Sequence, residues 1–386
     1  MDTVRLGLIG LGKIGRHHAA YLLDGKVPRC ELRAVAASTE VRTAPYLARG
    51  LTTFSDGLAL IHSGAVDAVL IATPHPTHVA LGVAALEAGL HVMVEKPLAA
   101  HKADAERLLT AARQRPHLRL AGMFQLRMEP RYARIRSLLQ SGELGTLQRV
   151  TWINTDWFRT EAYYASGGWR ATWQGEGGGV LLNQCLHNLD VLCWLMGSPR
   201  RVRGFVQLGR WHDIEVEDEA TAYLEFAGGA SGLFVGSTGE SPGTNRLELV
   251  GTRGRLVLEN QRLNLIRNES DALEWSKTTS SGFTPPPVWN CDLPFENHPA
   301  PHAALMQNFV AAILDGAPLI APGEAGLASV ELANAVVYSS LTESTVELPW
   351  DGVAWELQLA ELISRSTRKK AVRPIASNDF AASFRR

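Results

Sequence analysis

The sequence predicts a two-domain α/β protein, in which a doubly wound parallel sheet is followed by an α/β domain with an open, mainly antiparallel sheet. Three observations carry this. Short apolar runs alternate with amphipathic stretches over residues 4–124. A turn containing Gly10, Gly12 and Gly15 follows the first apolar run directly. From residue 202 onward, six strand candidates succeed one another with no helical stretch between them.

The first domain is assigned to residues 1–124. Its buried strands are predicted over 4–9, 32–37, 68–72, 91–94 and 118–123, all rich in Val, Ile and Leu. Helices are clearest over 77–88 and 102–114, each followed by Gly or Pro punctuation at Gly89 or Pro116. Strand–helix alternation of this kind builds a parallel sheet covered on both faces.

The second domain takes residues 125–386. A helix over 130–140 leads to a strand over 147–155 and an aromatic, Gly-rich stretch. A long helix is predicted over 180–196. Strands follow over 202–208, 221–226, 232–235, 246–250, 255–258 and 264–267, joined by Gly-rich turns that suit an antiparallel sheet. Residues 273–301 read as a long loop. Helices over 303–314 and 323–342 close the domain, and 371–386 read as a frayed tail.

Composition narrows the function. The 386 residues are 46% hydrophobic and 20% charged with a formal net charge of -1, so no global basic field attracts nucleic acid or an anionic membrane. No apolar run has the length that spans a bilayer. Cys30, Cys185, Cys193 and Cys291 form no CxxC pair and no metal-ligand spacing, which argues against a disulfide framework or a zinc site. Asp2 and the interrupting glycines deny the N-terminus the features of a signal peptide. The expectation is a cytoplasmic enzyme with neither a nucleic-acid nor a membrane partner.

The turn Gly10-Leu11-Gly12-Lys13-Ile14-Gly15 opens a helix at the end of the first strand. Glycines there allow close approach of a pyrophosphate to the positive end of the helix, the Rossmann dinucleotide signature. The second strand runs into Ala37-Ser38-Thr39-Glu40, with no carboxylate at 37 or 38 to read an adenosine 2′-hydroxyl. The cofactor is therefore NAD or NADP. Ser38 and the nearby Arg42 favour NADP, whereas Glu40 could still turn back toward a ribose.

Two further motifs are Glu95-Lys96-Pro97, preceded by Ala72-Thr73-Pro74 at the end of the previous strand, and the run from Gly177-Gly178-Gly179 through Asn183, His187 and Asp190. With the glycine turn and in this order, they resemble the Gfo/Idh/MocA family of glucose–fructose oxidoreductase-like and inositol dehydrogenase-like enzymes. The resemblance covers nearly the whole chain. It implies an NAD(P)-dependent oxidoreductase acting on a CH–OH group of a sugar, glycoside or cyclitol, and a homodimer or homotetramer. It places Lys96 between nicotinamide and substrate, where an ammonium stabilises alkoxide charge.

On the predicted helix, Asn183, His187 and Asp190 fall in one stripe at i, i+4 and i+7. The family pattern often has an aspartate at position 183. Asparagine cannot take a proton, which leaves His187 as the general base and Asn183 to orient substrate. Asp190 is expected to be structural, a partner of His187 or of a neighbouring backbone group. Trp152, Trp157, Trp169 and Trp173 cluster with Tyr163, Tyr164, Arg159 and Arg170, a composition that suits sugar rings and their hydroxyls as well as a core.

The candidate catalytic residues are Lys96, His187 and Asn183. Gly10, Gly12, Lys13, Ile14, Gly15, Ser38, Thr73, Pro74, His78, Glu95 and Lys96 are expected at the cofactor. Arg127, Trp157, Arg170, Trp173, Asn183 and His187 are expected at the substrate. Rival readings are a non-catalytic dinucleotide sensor of the same fold, and an enzyme whose tightly bound NAD recycles itself.

Overall fold

The computed structural model describes residues 2–298, 300–368 and 372–373. Six parallel strands form the first sheet: β1 (Val4–Ile9), β2 (Cys30–Ala36), β3 (Thr52–Phe54), β4 (Ala68–Ile71), β5 (His91–Val94) and β6 (Leu120–Gly122). Their order is β3-β2-β1-β4-β5-β6, so the winding reverses between β1 and β4. In a doubly wound sheet this switch point opens a crevice at the carboxyl ends of the strands. β4 is buried at every position, as expected for a strand covered by helices on both faces.

Nine strands form the second sheet: β7 (Leu147–Asn154), β8 (Arg201–Leu208), β9 (Glu217–Glu225), β10 (Ser231–Ser237), β11 (Asn245–Gly251), β12 (Gly254–Glu259), β13 (Arg262–Asn268), β14 (Val288–Leu293) and β15 (Val346–Glu347). Every pairing is antiparallel except that of β7 with β10. One face packs against the helices Gly323–Leu341 and Leu186–Met196. At Gly204 a Cβ would lie 2.1 Å from the carbonyl oxygen of Val336, so glycine alone lets helix and strand approach this closely. Trp152 of β7 is fully buried against Tyr132 and Phe234.

The helix Gly323–Leu341 also reaches back to the first sheet, where the Gly122 amide donates to the Ala321 carbonyl at 3.0 Å. One hydrophobic core therefore runs from Val4 in β1 through Phe124 to Leu359 near the C-terminus. The two sheets form one packed body.

Three expectations are corrected. Residues 273–301 contain the helix Ala272–Thr278 and edge strand β14. Asp271 caps that helix by accepting from the Leu273 and Glu274 amides, a local signal that the polar composition masked. A further helix, Gly352–Arg365, follows the predicted closing pair. The helix expected over 180–196 begins only at Leu186. Ahead of it, the Glu217 carboxylate accepts from the Gly179 and Leu181 amides at 2.8 and 3.1 Å, holding the glycine run in irregular turns. The tail expected over 371–386 lies outside the described residues, apart from Val372 and Arg373.

Candidate active site

A cavity of about 1670 Å³ runs from the glycine turn across the sheet switch point to the aromatic stretch of the second domain. At its cofactor end Gly10 has φ of 100°, and a Cβ there would lie 2.5 Å from the Ala72 carbonyl oxygen. Gly15 packs against the same turn, since its Cβ would meet the Gly10 carbonyl oxygen at 1.9 Å. Gly12 stands at the N-cap of the helix Lys13–Leu23, with no side-chain cap and nothing within 4 Å of its missing Cβ. An uncapped helix start facing a cavity, with bare backbone beside it, fits a pyrophosphate. Gly10, Gly12, Lys13, Ile14, Ser38, Arg42, Thr73, Pro74, Glu95 and Lys96 all line this wall.

Gly15 and His78 do not. Gly15 is buried in helix–strand packing, the role of the third glycine in such turns. His78 is buried, with Nδ1 2.8 Å from the Pro97 carbonyl oxygen and Nε2 2.8 Å from that of Thr73. It ties the ends of β4 and β5 together behind the cavity.

Glu95 and Lys96 leave β5 in opposite roles. The Glu95 carboxylate faces His18 Nε2 at 2.6 Å, and Tyr21 bonds the other nitrogen of that ring at 2.6 Å. Burial alone would raise the Glu95 carboxyl, but the hydrogen bond and charge of His18 outweigh it and hold the pKa at about 2. Lys96 extends into the cleft. Its ammonium donates to the carbonyl oxygen of Asn183 at 2.9 Å and to its side-chain oxygen at 3.2 Å. Enclosure in the cavity wall, helped by Arg170 and Arg159, outweighs the attraction of Glu95 and Glu176 and lowers this group to about 8.

His187 sits one residue into the helix Leu186–Met196 and lines the same cavity. Its Nε2 is 3.5 Å from the side-chain nitrogen of Gln125, and its Nδ1 is buried with no hydrogen-bond partner. The side-chain oxygen of Gln125 is likewise buried and unpartnered. Burial first, then the charge of Lys96, depresses the His187 imidazole well below its ordinary range, so the ring is neutral. Unsatisfied polar atoms cost free energy that a bound polar ligand can recover.

Asn183, expected on the helix, lies in the turn before it. Its side-chain nitrogen donates to Glu176 at 2.5 Å while its oxygen accepts from Lys96. Glu176 was not anticipated, although it directly precedes the Gly177–Gly179 run that marked the motif. Trp157 and Arg170 line the cavity as expected, together with Arg159, Tyr163 and Trp169.

Trp173 and Arg127 lie elsewhere. Trp173 is buried against Trp355, with ring centroids 6.4 Å apart. Arg127 donates to both carboxylate oxygens of Asp190, at 2.8 and 2.7 Å, and to the Ile320 carbonyl. Asp190 therefore serves Arg127, not His187. Gln125 faces the cavity instead, because both residues lie in a 3-10 turn whose successive side chains point roughly 120° apart. Among the described residues, no group of three His, Cys, Asp or Glu side chains could hold a metal ion.

Residues 4–122 match the oxidoreductase family with an NAD-binding Rossmann fold, and residues 132–257 match the GFO/IDH/MocA C-terminal domain. The chain belongs to the Gfo/Idh/MocA family. Among its relatives, the inositol 2-dehydrogenase of Rhizobium meliloti (strain 1021) is 26% identical over 355 residues, 87% of this chain and 97% of that protein. The scyllo-inositol 2-dehydrogenase (NAD(+)) of Bacillus subtilis (strain 168) is 27% identical over 66% of this chain and 73% of its own. The WlbA dehydrogenase of Bordetella pertussis, solved with NADH and UDP-GlcNAcA, superposes with a TM-score of 0.75 at 24% identity. That match covers 90% of this chain and all of the other, and establishes a common fold. The Gfo/Idh/MocA chain is thus an oxidoreductase whose dinucleotide domain is the β1–β6 sheet. No helix among its described residues is long and apolar enough to cross a membrane.

Proposed function

We propose that this oxidoreductase moves a hydride between nicotinamide and the carbon of a secondary alcohol on a sugar, glycoside or cyclitol. The observation that carries the reading is the convergence of Lys96, from the first domain, and the unpartnered His187, from the second, on one cavity wall. When bound, the dinucleotide supplies the hydride acceptor or donor.

The residues then divide the remaining work. An ammonium has three N–H groups, and Asn183 takes two of those on Lys96. The third is left for the reacting oxygen, whose negative charge Lys96 stabilises. His187 is neutral and accepts the hydroxyl proton when the alcohol is oxidised. Asn183 sets the direction of the Lys96 ammonium and keeps one side-chain N–H for a substrate hydroxyl. Gln125 holds the His187 ring. Trp157, Trp169 and Tyr163 offer faces for the apolar side of a ring.

For the cofactor, the reading favours NADP. Ser38 and Arg42 line the adenosine end of the cavity, and positions 37 and 38 offer no carboxylate to repel a 2′-phosphate. The domain division falls at residue 124, just after β6. The uncovered face of the second sheet exposes Phe205, Tyr223 and Leu233, which supports pairing into a homodimer or homotetramer.

The test is absorbance of reduced nicotinamide during a screen of inositols, aldoses and alkyl glycosides, with NAD and NADP supplied separately. A rise with one substrate class and with NADP is expected. Cofactor binding without a rise for any pair would turn the assignment toward a dinucleotide sensor or a self-recycling cofactor.

A further inference from the structure

Two guanidinium groups share one aromatic ring at the substrate end of the cavity. Arg159 lies 5.0 Å from the Tyr163 ring centroid and Arg170 lies 4.6 Å from it. Arg159 also covers Trp157 at 5.5 Å, and Arg170 covers Trp169 at 4.5 Å. All five side chains line the cavity. Stacking holds each guanidinium by its face and leaves its N–H edge available for bidentate bonding.

Arg159 is held in place by its backbone. Its amide donates to the Thr238 carbonyl at 2.9 Å, and its own carbonyl accepts from His212 Nε2 at 2.9 Å. Asp218 faces the other nitrogen of that ring at 3.1 Å and also accepts from the amides of Arg210, Trp211 and His212. The guanidinium has no such support. Its only printed hydrogen bond goes to the Phe158 carbonyl, its Nε is buried without a partner, and no carboxylate among the described residues lies within ion-pair distance. The carboxylate nearest Arg170 is Glu176, at 4.0 Å, which is already engaged by Asn183. Glu95 is occupied by His18. Lys96, Arg159 and Arg170 thus gather around a cavity whose carboxylates are committed elsewhere. Their mutual repulsion is visible in the lowered Lys96 ammonium.

We propose that Arg159 and Arg170 form a subsite for an anionic substituent, so that the substrate is an acidic or phosphorylated sugar or cyclitol. The inference rests on the dehydrogenase reading for the identity of the ring, but the anion subsite stands on its own geometry. A guanidinium pair stacked on Tyr163 and lacking a protein carboxylate gains most from a ligand that brings one negative group.

Calorimetric titration of the cofactor-loaded protein with D-glucose, D-glucuronate and D-glucose 6-phosphate tests it, alongside turnover of the same three sugars. Charge-assisted hydrogen bonds make an anionic probe bind about tenfold or more tightly than glucose, with the advantage shrinking as salt is raised. The tighter anion tells carboxylate from phosphate. In Arg159→Gln, and separately in Arg170→Gln, the ratio of anionic to neutral affinity falls about tenfold or more. Glucose binding as well as both anions, or failure of both anions to bind, overturns the subsite. Turnover of neutral sugars alone leaves the dehydrogenase reading intact and sinks the subsite. Arg159-dependent anion binding without any turnover does the reverse.

Discussion

The ammonium of Lys96 donates to both the backbone and the side-chain oxygen of Asn183, at 2.9 and 3.2 Å. One residue ends a strand of the dinucleotide domain; the other lies in a turn of the second domain. The reacting geometry therefore depends on how the two sheets pack. A shift between them would swing the ammonium away from its direction before it broke either domain.

Replacing Lys96 by Met is expected to lower kcat about 10²–10³-fold, the usual effect of removing one preorganised donor, while the cofactor still binds. The pH profile gives a second readout. Lys96 acts as the cation and its pKa lies at about 8, so kcat/KM in the wild type falls as pH rises through that value. Loss of this limb in Lys96→Met, seen in steady-state rates, supports the assignment. A profile that instead rises through pH 8 would make Lys96 the base.

His187→Asn is expected to reduce alcohol oxidation by about 10²–10⁴-fold. Because Nδ1 makes no hydrogen bond, the variant should keep its thermal midpoint. Full activity in the variant would remove His187 from the mechanism. Its depressed pKa also keeps the ring neutral down past pH 6.5, so the wild-type rate holds level on the acid side of neutrality.

Gly12 and Gly15 should respond oppositely to alanine. At Gly12 a methyl group meets no protein atom, so Gly12→Ala folds normally but obstructs the pyrophosphate and weakens cofactor binding. At Gly15 it meets the Gly10 carbonyl oxygen at 1.9 Å, so Gly15→Ala loses stability before anything else. Thermal melts with and without cofactor separate the two.

Asp190→Ala leaves the Arg127 guanidinium buried without its carboxylate. Removing one partner of a buried pair costs about 3–5 kcal/mol, and urea unfolding should show a loss of that size. Substrate KM is expected to change little in whatever fraction stays folded, because neither residue lines the cavity.

Glu217→Ala deprives the Gly179 and Leu181 amides of their acceptor, at about 1–3 kcal/mol for each buried group left unsatisfied. It also frees the turn that carries Asn183, so kcat should fall. Burial pushes the Glu217 carboxyl up from 4.5 to about 7 in spite of its backbone hydrogen bonds. With its pKa raised on folding, the group contributes stability that is fully present below pH 4.5 and is lost as pH rises through 7. Stability measured across that window should lose this slope in the variant. An unchanged slope would assign the pH dependence to other groups.

Much of the architecture was legible because it depends on local patterning. β1 and β5 begin and end where the apolar runs do, and the helix Pro130–Gln140 occupies its predicted span. The stripe of Asn183, His187 and Asp190 was legible as a polar cluster but not as a helix face. Glu217, 34 residues after Asn183 in the chain, captures the amides that would have begun that helix. Gln125 and Arg127 were read as one motif, yet a single 3-10 turn sends them to different places.

By itself, the sequence determined the strand–helix alternation, the glycine turn and the presence of Lys96 and His187, because periodicity, backbone freedom and residue chemistry are local properties. Tertiary structure alone decided which polar residues meet. It joined Lys96 to Asn183, gave Asp190 to Arg127, sent Trp173 into the core and left Arg159 beside the cavity. Those outcomes depend on burial and on long-range competition for hydrogen bonds. A buried charge takes whatever partner the packed sheets bring within about 3 Å, whatever their separation along the chain.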